Sequence, residues 1–401
     1  MILGMKVVFD LREKEDEKTL EIIKSAYDEP LGVFNLRGEA INSCIGCWSC
    51  WLKTPGRCIM NDRMSEIYKE YINSDTVVLL MDTAHGFINH RAKAFFDRTI
   101  PHYHPHIEIV GGECHHVARY ESYPDMVFYF DKSILCDAEE QVIEDYLYRV
   151  AYHFKANAYR IIIDEETKLV PLSSRRPKNK NIEFGSVESI EKLVVYNGSP
   201  RKSRSNTALI LKGISRELGE KVEIRDLKEK NSWQEWAEKF KHDEHVMFFM
   251  PLYVHAMPSH VMEFIESLST SEGSISFFIQ SGFPESSQSY YVEAYFEHLS
   301  IKLGRTYLGT VIKGGVESLQ GRPIEAQEKM IEPMINAIEN LVNDGKFNLY
   351  DIRRLARPIR FGKVIEILFN IAGKKFIDSF WDQQLIANDA YDISFDRPYE
   401  I

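Results

Sequence analysis

Cysteine is scarce in this chain and unevenly placed: there are six in 401 residues, four of them between positions 44 and 58, and none after Cys136. That distribution does not resemble a disulfide framework, which staples short secreted domains with spaced pairs. Basic charge is short as well. Lys and Arg number 49 against 60 Asp and Glu, a net charge of −11, which argues against nucleic acid as the main partner. No apolar run approaches the roughly eighteen residues needed to cross a bilayer, so no membrane span is expected. The opening stretch "MILGMKVVFDLREKEDEK" enters a strand pattern and then a charged helix, with no signal-peptide core. A cytoplasmic protein with reduced thiols is expected, its clustered cysteines acting as ligands or redox groups.

What is present is a rhythm of strand and helix, stated twice. Apolar residues make up 44% of the chain, ample for sizeable cores, and the length suggests two or three domains. In the second half Leu193–Tyr196, "KVEIRDL", "HVMFFM", "SISFFIQ" and "TYLGTVIKGG" read as strands, most apolar along their whole length. Helical patterns separate several of them, which predicts a covered parallel sheet. The first half runs alike through "MKVVFDL", "LGVFNL", "DTVVLLMD", "DMVFYF" and "YRIIID". Strand Asp75–Met81 with helix Arg91–Arg98 matches strand His245–Met250 with helix Val261–Ser267 across loops of similar length. A tandem duplication is expected: a first domain at 1–170, a linker at 171–190 holding "SSRRPKNKNIEFG", a second domain at 191–345 and an extension at 346–401. The basic linker reads as a solvated segment. The extension, with its amphipathic "KVIEILFNIAGKKFIDSFW", reads as a helix packed on the second domain or at a subunit interface, with membrane-surface contact as the lesser reading.

"NGSPRKSRSNT" (197–207) follows the first strand of the second half and opens a helix. Backbone N–H groups and small hydroxyls at a helix N-terminus suit a phosphate group, and Arg201 can add a charge-assisted bond. No Gly-Lys-Ser/Thr follows and the stretch is not GxGxxG, so a simple capped turn stays open. Gly198-Ser199-Pro200-Arg201 followed by Ser205-Asn206-Thr207, with "PLYVHAMP" after the third strand, resembles the flavodoxin-like NAD(P)H-dependent FMN reductases. The resemblance covers about 190–320 well and the first half loosely. It implies two doubly wound α/β sheets of strand order 2-1-3-4-5 and an FMN whose phosphate meets Ser199, Arg201, Ser205, Asn206 and Thr207. It puts Pro251, Leu252, Tyr253 and Val254 beside the isoalloxazine and Ser281, Gly282 and Phe283 of "QSGFPE" at the ring's other edge. It further implies a nicotinamide dinucleotide, NADH or NADPH, as cosubstrate and a small-molecule or protein electron acceptor. Subunits of such proteins pair, so a homodimer is expected, or the same pairing within one chain.

The first half has "DLREKEDEKT" where the phosphate loop should be, and Asp82 and Ala84 where the second has Pro251 and Tyr253. Those carboxylates would repel a phosphate, so no FMN is expected there. Instead it has Cys44-x2-Cys47-x2-Cys50-x7-Cys58. Structural zinc usually takes two separated ligand pairs, whereas successive x2 intervals resemble a ferredoxin run. Together with "PGRCIMNDRM" the pattern also resembles the iron–sulfur flavoproteins of the same superfamily. That resemblance implies a [4Fe–4S] cluster on Cys44, Cys47, Cys50 and Cys58; zinc, or a structural or thiol-redox loop, stays open. Trp48 and Trp51 read either as a shield for such a cluster or as core aromatics.

Other candidates are weaker. His102, His104 and His106, with Cys114, His115 and His116, read as a polar loop near the domain interface and only secondarily as metal ligands. His85 and His90 read first as ordinary loop residues and second as facing the other half's flavin. Asp10, Glu13 and Glu15 read as a solvated helix start. No catalytic acid or base stands out. The expected activity is that of an FMN-dependent NAD(P)H oxidoreductase passing electrons to the cluster or to an external acceptor. A non-catalytic flavin electron carrier or redox sensor, and a zinc-stabilised scaffold, are the alternatives.

Overall fold

The computed structural model describes residues 5–14, 17–25, 32–38, 41–163, 166–170, 182–201, 203 and 205–401. Most of the anticipated linker, like Glu15, lies outside them. The chain divides into one unit of Met1–Arg175 with Gly362–Ile401 and a second of Arg176–Phe361.

In the second unit Val222–Asp226, Leu193–Asn197, His245–Pro251, Ser274–Gln280 and Thr306–Lys313 lie in that order, all parallel. Leu193–Asn197 and Ser274–Gln280 are buried at every residue. Successive strand side chains point to opposite faces, so unbroken burial means that both faces are covered, and this is why the strands read as continuous apolar runs. Stacked rings hold the layers together: Phe249 on Phe278 at 4.0 Å and Phe277 on Phe296 at 4.2 Å. Each such buried ring contributes about 1.5–3 kcal/mol by leaving water. The helix Asn206–Leu218 turns Ile210, Leu211 and Ile214 inward, one face of a 3.6-residue period, into a core shared with Met334, Ile338 and Leu341 of helix Ile324–Asp344.

The first unit repeats this order with Gly32–Asn35, Lys6–Asp10, Thr76–Met81, Asp125–Phe130 and Tyr159–Ile163, again parallel. Glu166–Val170 adds a sixth strand antiparallel to Tyr159–Ile163. Each sheet therefore contains the flavodoxin-like order 2-1-3-4-5.

Three expectations fail. Residues 103–118 are not a polar loop but an antiparallel hairpin, Tyr103–Val110 with Glu113–Ala118; His104 in it and His102, in the turn just before it, are fully buried. Asp10 is not solvated: it is 1% exposed and clasped by Arg12, whose Nε and Nη2 each donate at 2.9 Å, with Arg37 at 3.4 Å. The extension does not stay with the second domain. Residues 346–361 do, but 362–401 join the first unit, where Trp381, Leu385 and Ala390 pack on Cys50, Trp51 and Leu52. Short-range pattern reveals an amphipathic face but not which distant surface will bury it.

Candidate functional site

Three loops leave neighbouring parallel strands of the second unit at their carboxyl ends, after Asn197, Pro251 and Gln280. In the first loop the Asn197 side chain accepts from Ser199 N–H at 3.0 Å, and the Ser199 hydroxyl from Arg201 N–H at 3.4 Å. Ser205 caps the helix by accepting from Ala208 N–H at 3.0 Å. Gly198 is needed for the approach of the backbone to its neighbours: a Cβ there would stand 2.7 Å from Val261 Cγ2 and 2.8 Å from Met250 Cβ. Ser199 and Thr207 are buried, and Asn206 Oδ1 is buried without a hydrogen-bond partner. Gly198, the hydroxyls, the Asn206 amide and Arg201 together make a donor set of the kind an anion takes.

The second loop is a tight turn. Tyr253 and Ala256 exchange backbone bonds at 2.9 and 3.0 Å around Val254 and His255, whose φ angles are 36° and 62°. A β-branched residue at positive φ is strained, and strain of this kind concentrates at functional sites. Leu252 N–H donates to Gln280 O at 2.7 Å, and Gln280 Nε2 donates to Thr207 Oγ1 at 2.9 Å, so a single glutamine fastens all three loops. In the third loop Ser281 Oγ donates to Phe283 O at 3.0 Å. Gly282 lies against Glu317, where a Cβ would come 3.2 Å from its Oε2. Burial pushes the Glu317 carboxyl up to about 7, with the Arg201 charge acting against the rise. The sequence pointed to every one of these loops but not to Gln280 or Glu317. Gln280 reads as the end of a strand, and Glu317 lies beyond the last strand, where no motif marks it.

The equivalent crevice of the first unit is built otherwise. After strand Thr76–Met81 the same two-residue turn recurs, Ala84 pairing with Phe87 around His85 and Gly86, at φ 49° and 77°. Where the second unit has its phosphate-type loop, however, the Asp10–Arg12 pair fills the corner, and Glu13 N–H donates to Asp82 at 2.6 Å.

The cysteine loop winds through left-handed residues, Gly46 at φ 62° and Trp48 at 58°, into the short helix Ser49–Leu52. Alternating the handedness of the backbone lets side chains two and three apart converge. Cys50 is buried, Cys44 and Cys58 are half-buried and Cys47 is exposed, and burial pushes the Cys50 thiol far up. Cys44 is pushed up to about 12, chiefly by burial. The loop is anchored by Arg98, which donates to Asp62 at 2.8 and 2.9 Å and to Asn42 O at 2.9 Å. An all-thiol donor set suits a soft metal or an iron–sulfur group.

The histidines divide differently. His102 Nε2 lies 3.1 Å from Tyr68 O, His104 stacks on Phe395 at 3.8 Å, and His106 Nε2 lies 2.7 Å from Asp382. Glu113, His115 and His153 place ligand-type atoms within 4.8 Å of one another. There the Arg149 guanidinium, 2.6 Å from Glu113 Oε2 and 2.7 Å from His153 Nε2, already supplies the positive charge.

No family model matches the chain. Over 70 residues it is 31% identical to an iron–sulfur flavoprotein of Archaeoglobus fulgidus, a match of 18% of this chain that spans 31% of that protein's length. Among solved structures it is similar to an FMN-dependent NADH-azoreductase of Bacillus anthracis in complex with FMN, at 14% identity, 38% of this chain, all of that one and a TM-score of 0.30. A putative quinone reductase of Klebsiella pneumoniae matches at 10% identity over 44% of this chain and 99% of that one, with a TM-score of 0.31. By its strand order the chain has the flavodoxin-like α/β fold, and it spans about a third of the length of the curated relative it matches.

Proposed function

We propose that the protein is an FMN-dependent NAD(P)H oxidoreductase with one FMN site, in the second unit. The observation that carries this reading is the convergence of three loops at the carboxyl edge of one parallel sheet, the first with an anion-type donor set and the second strained. Ser199, Arg201, Ser205, Asn206 and Thr207 would bind the phosphate. Pro251, Leu252, Tyr253 and Val254 would line one edge of the ring, and Ser281, Gly282 and Phe283 the other. FMN so held would accept a hydride from NADH or NADPH and release electrons one at a time. The chain's own part is to bind and orient; Glu317, beside Gly282, is placed to hold a proton near neutral pH.

The cysteines supply the second half of the reading. Cys44, Cys47, Cys50 and Cys58 would hold a [4Fe–4S] cluster that takes electrons onward, with an external small molecule or protein as the final acceptor. Their close spacing in one loop, buried at Cys50 and open at Cys47, and the 70-residue similarity to an iron–sulfur flavoprotein support it. The experiment is to add NADH or NADPH to the FMN-loaded protein without oxygen. Rapid loss of the flavin absorption supports the oxidoreductase; bound flavin that neither nucleotide bleaches leaves a non-catalytic carrier or sensor.

A further inference from the structure

Arg119 follows the strand Glu113–Ala118 and is only 2% exposed. Its hydrogen bonds go to backbone carbonyls alone: Nε to Pro101 at 3.0 Å, and Nη1 to Ser394 at 2.6 Å and Asp396 at 2.9 Å. Nη2 has no hydrogen-bond partner. Burial pulls its pKa down, yet a guanidinium keeps its proton, so a charge sits inside the protein with no carboxylate bonded to it. The side chain runs against the cysteine loop itself: a Cβ on Gly56, between Cys50 and Cys58, would lie 3.4 Å from Arg119 Cδ.

Two of those three carbonyls belong to the C-terminal tail, which also covers the cysteine loop. Trp381 meets Trp48 and Trp51 edge-on at 5.4 and 5.6 Å. Pro398 lies so close to Gly56 that a Cβ there would stand 2.7 Å from its Cγ. Tyr399 lies 5.3 Å from the Tyr68 ring, its carbonyl accepts from Asn73 Nδ2 at 2.7 Å, and Arg57 stands 5.6 Å over its ring. An ordinary surface tail would not be tied at so many points to one loop and its supports.

We propose that residues 381–399 form a wall of the cysteine centre that keeps solvent from its Cys50 side, and that Arg119, held by this wall, is the counter-charge of an anionic thiolate-bound group. Four thiolates outweigh a doubly charged metal core, so such a group is net negative and a neighbouring buried cation stabilises it. The counter-charge role rests on the reading that the cysteines hold an iron–sulfur group or metal; the wall does not.

The full-length, metal-free, reduced protein is pulsed with iodoacetamide and the modified thiols are read by mass spectrometry. In Trp381→Ala, Cys50 is expected to react about tenfold faster or more, through easier local opening. Cys114, buried elsewhere in the same unit, stays protected and reports an intact fold. An unchanged Cys50 rate overturns the wall. The protein is then loaded with ferrous iron and sulfide without oxygen, and iron loss to a chelator is followed. Arg119→Met is expected to lose iron about tenfold faster, a factor set by the loss of one buried charge interaction, and Arg119→Lys less so. Equal retention in all three proteins overturns the counter-charge. A wild-type protein that takes up no iron overturns it together with the cysteine reading, while the alkylation result still decides the wall.

Discussion

At the scale of single residues, the second unit's site depends on one missing side chain and one charge. Gly198 leaves the room in which the first loop crosses strand His245–Pro251. Gly198→Ala would drive a methyl into Met250 and Val261, at a cost of about 1–3 kcal/mol from overpacking, and should lower both the unfolding midpoint in urea and FMN affinity. Arg201→Ala should leave stability nearly unchanged but weaken FMN binding by about ten- to a hundredfold, the worth of one charge-assisted hydrogen bond, in a fluorescence titration. Unchanged affinity would remove the phosphate-loop assignment. In the first unit the same position carries Arg12 folded on Asp10, a residue-scale difference that gives two sheets of one order different corners.

At the scale of elements, the two units should respond to pH in opposite directions. Glu317, on the turn beyond strand Thr306–Lys313, takes a proton near pH 7 when folded and near 4.5 when unfolded. Between those values the folded state binds more protons, so stability falls as pH rises through the window, by up to roughly 3–4 kcal/mol. Glu317→Gln should flatten that part of a urea-midpoint profile. His102, below the hairpin, is held by burial at about 3 against an ordinary 6.5. Here the unfolded state binds the extra proton, so stability is lost as pH falls from 6.5 towards 3, and His102→Asn should blunt the acid limb.

The elements also show what a sequence discloses. Strands such as Ser274–Gln280 are legible because covered parallel strands leave no polar alternation to confuse with a loop. The strand Tyr103–Val110 was not, because two histidines and a proline look like a loop until the surrounding aromatics desolvate them. Gln280 and Glu317 escaped for a different reason. Their roles are set by contacts 73 residues away in one case and by the neighbouring Gly282 loop in the other, which no local spacing encodes.

At the scale of the whole molecule, two sheets of the same order carry different equipment: phosphate-type and strained loops on one, a thiol loop closed by the C-terminal tail on the other. The tail's placement was beyond the sequence, because a terminal helix chooses among distant apolar surfaces and only the folded units present them. The central claim is the flavin site, and its most direct test is titration of the full-length protein with FMN, followed by the quenching of flavin fluorescence. The account predicts saturable binding of one FMN per chain, lost or strongly weakened in Arg201→Ala. Protein purified without flavin that quenches none of the added FMN would contradict it.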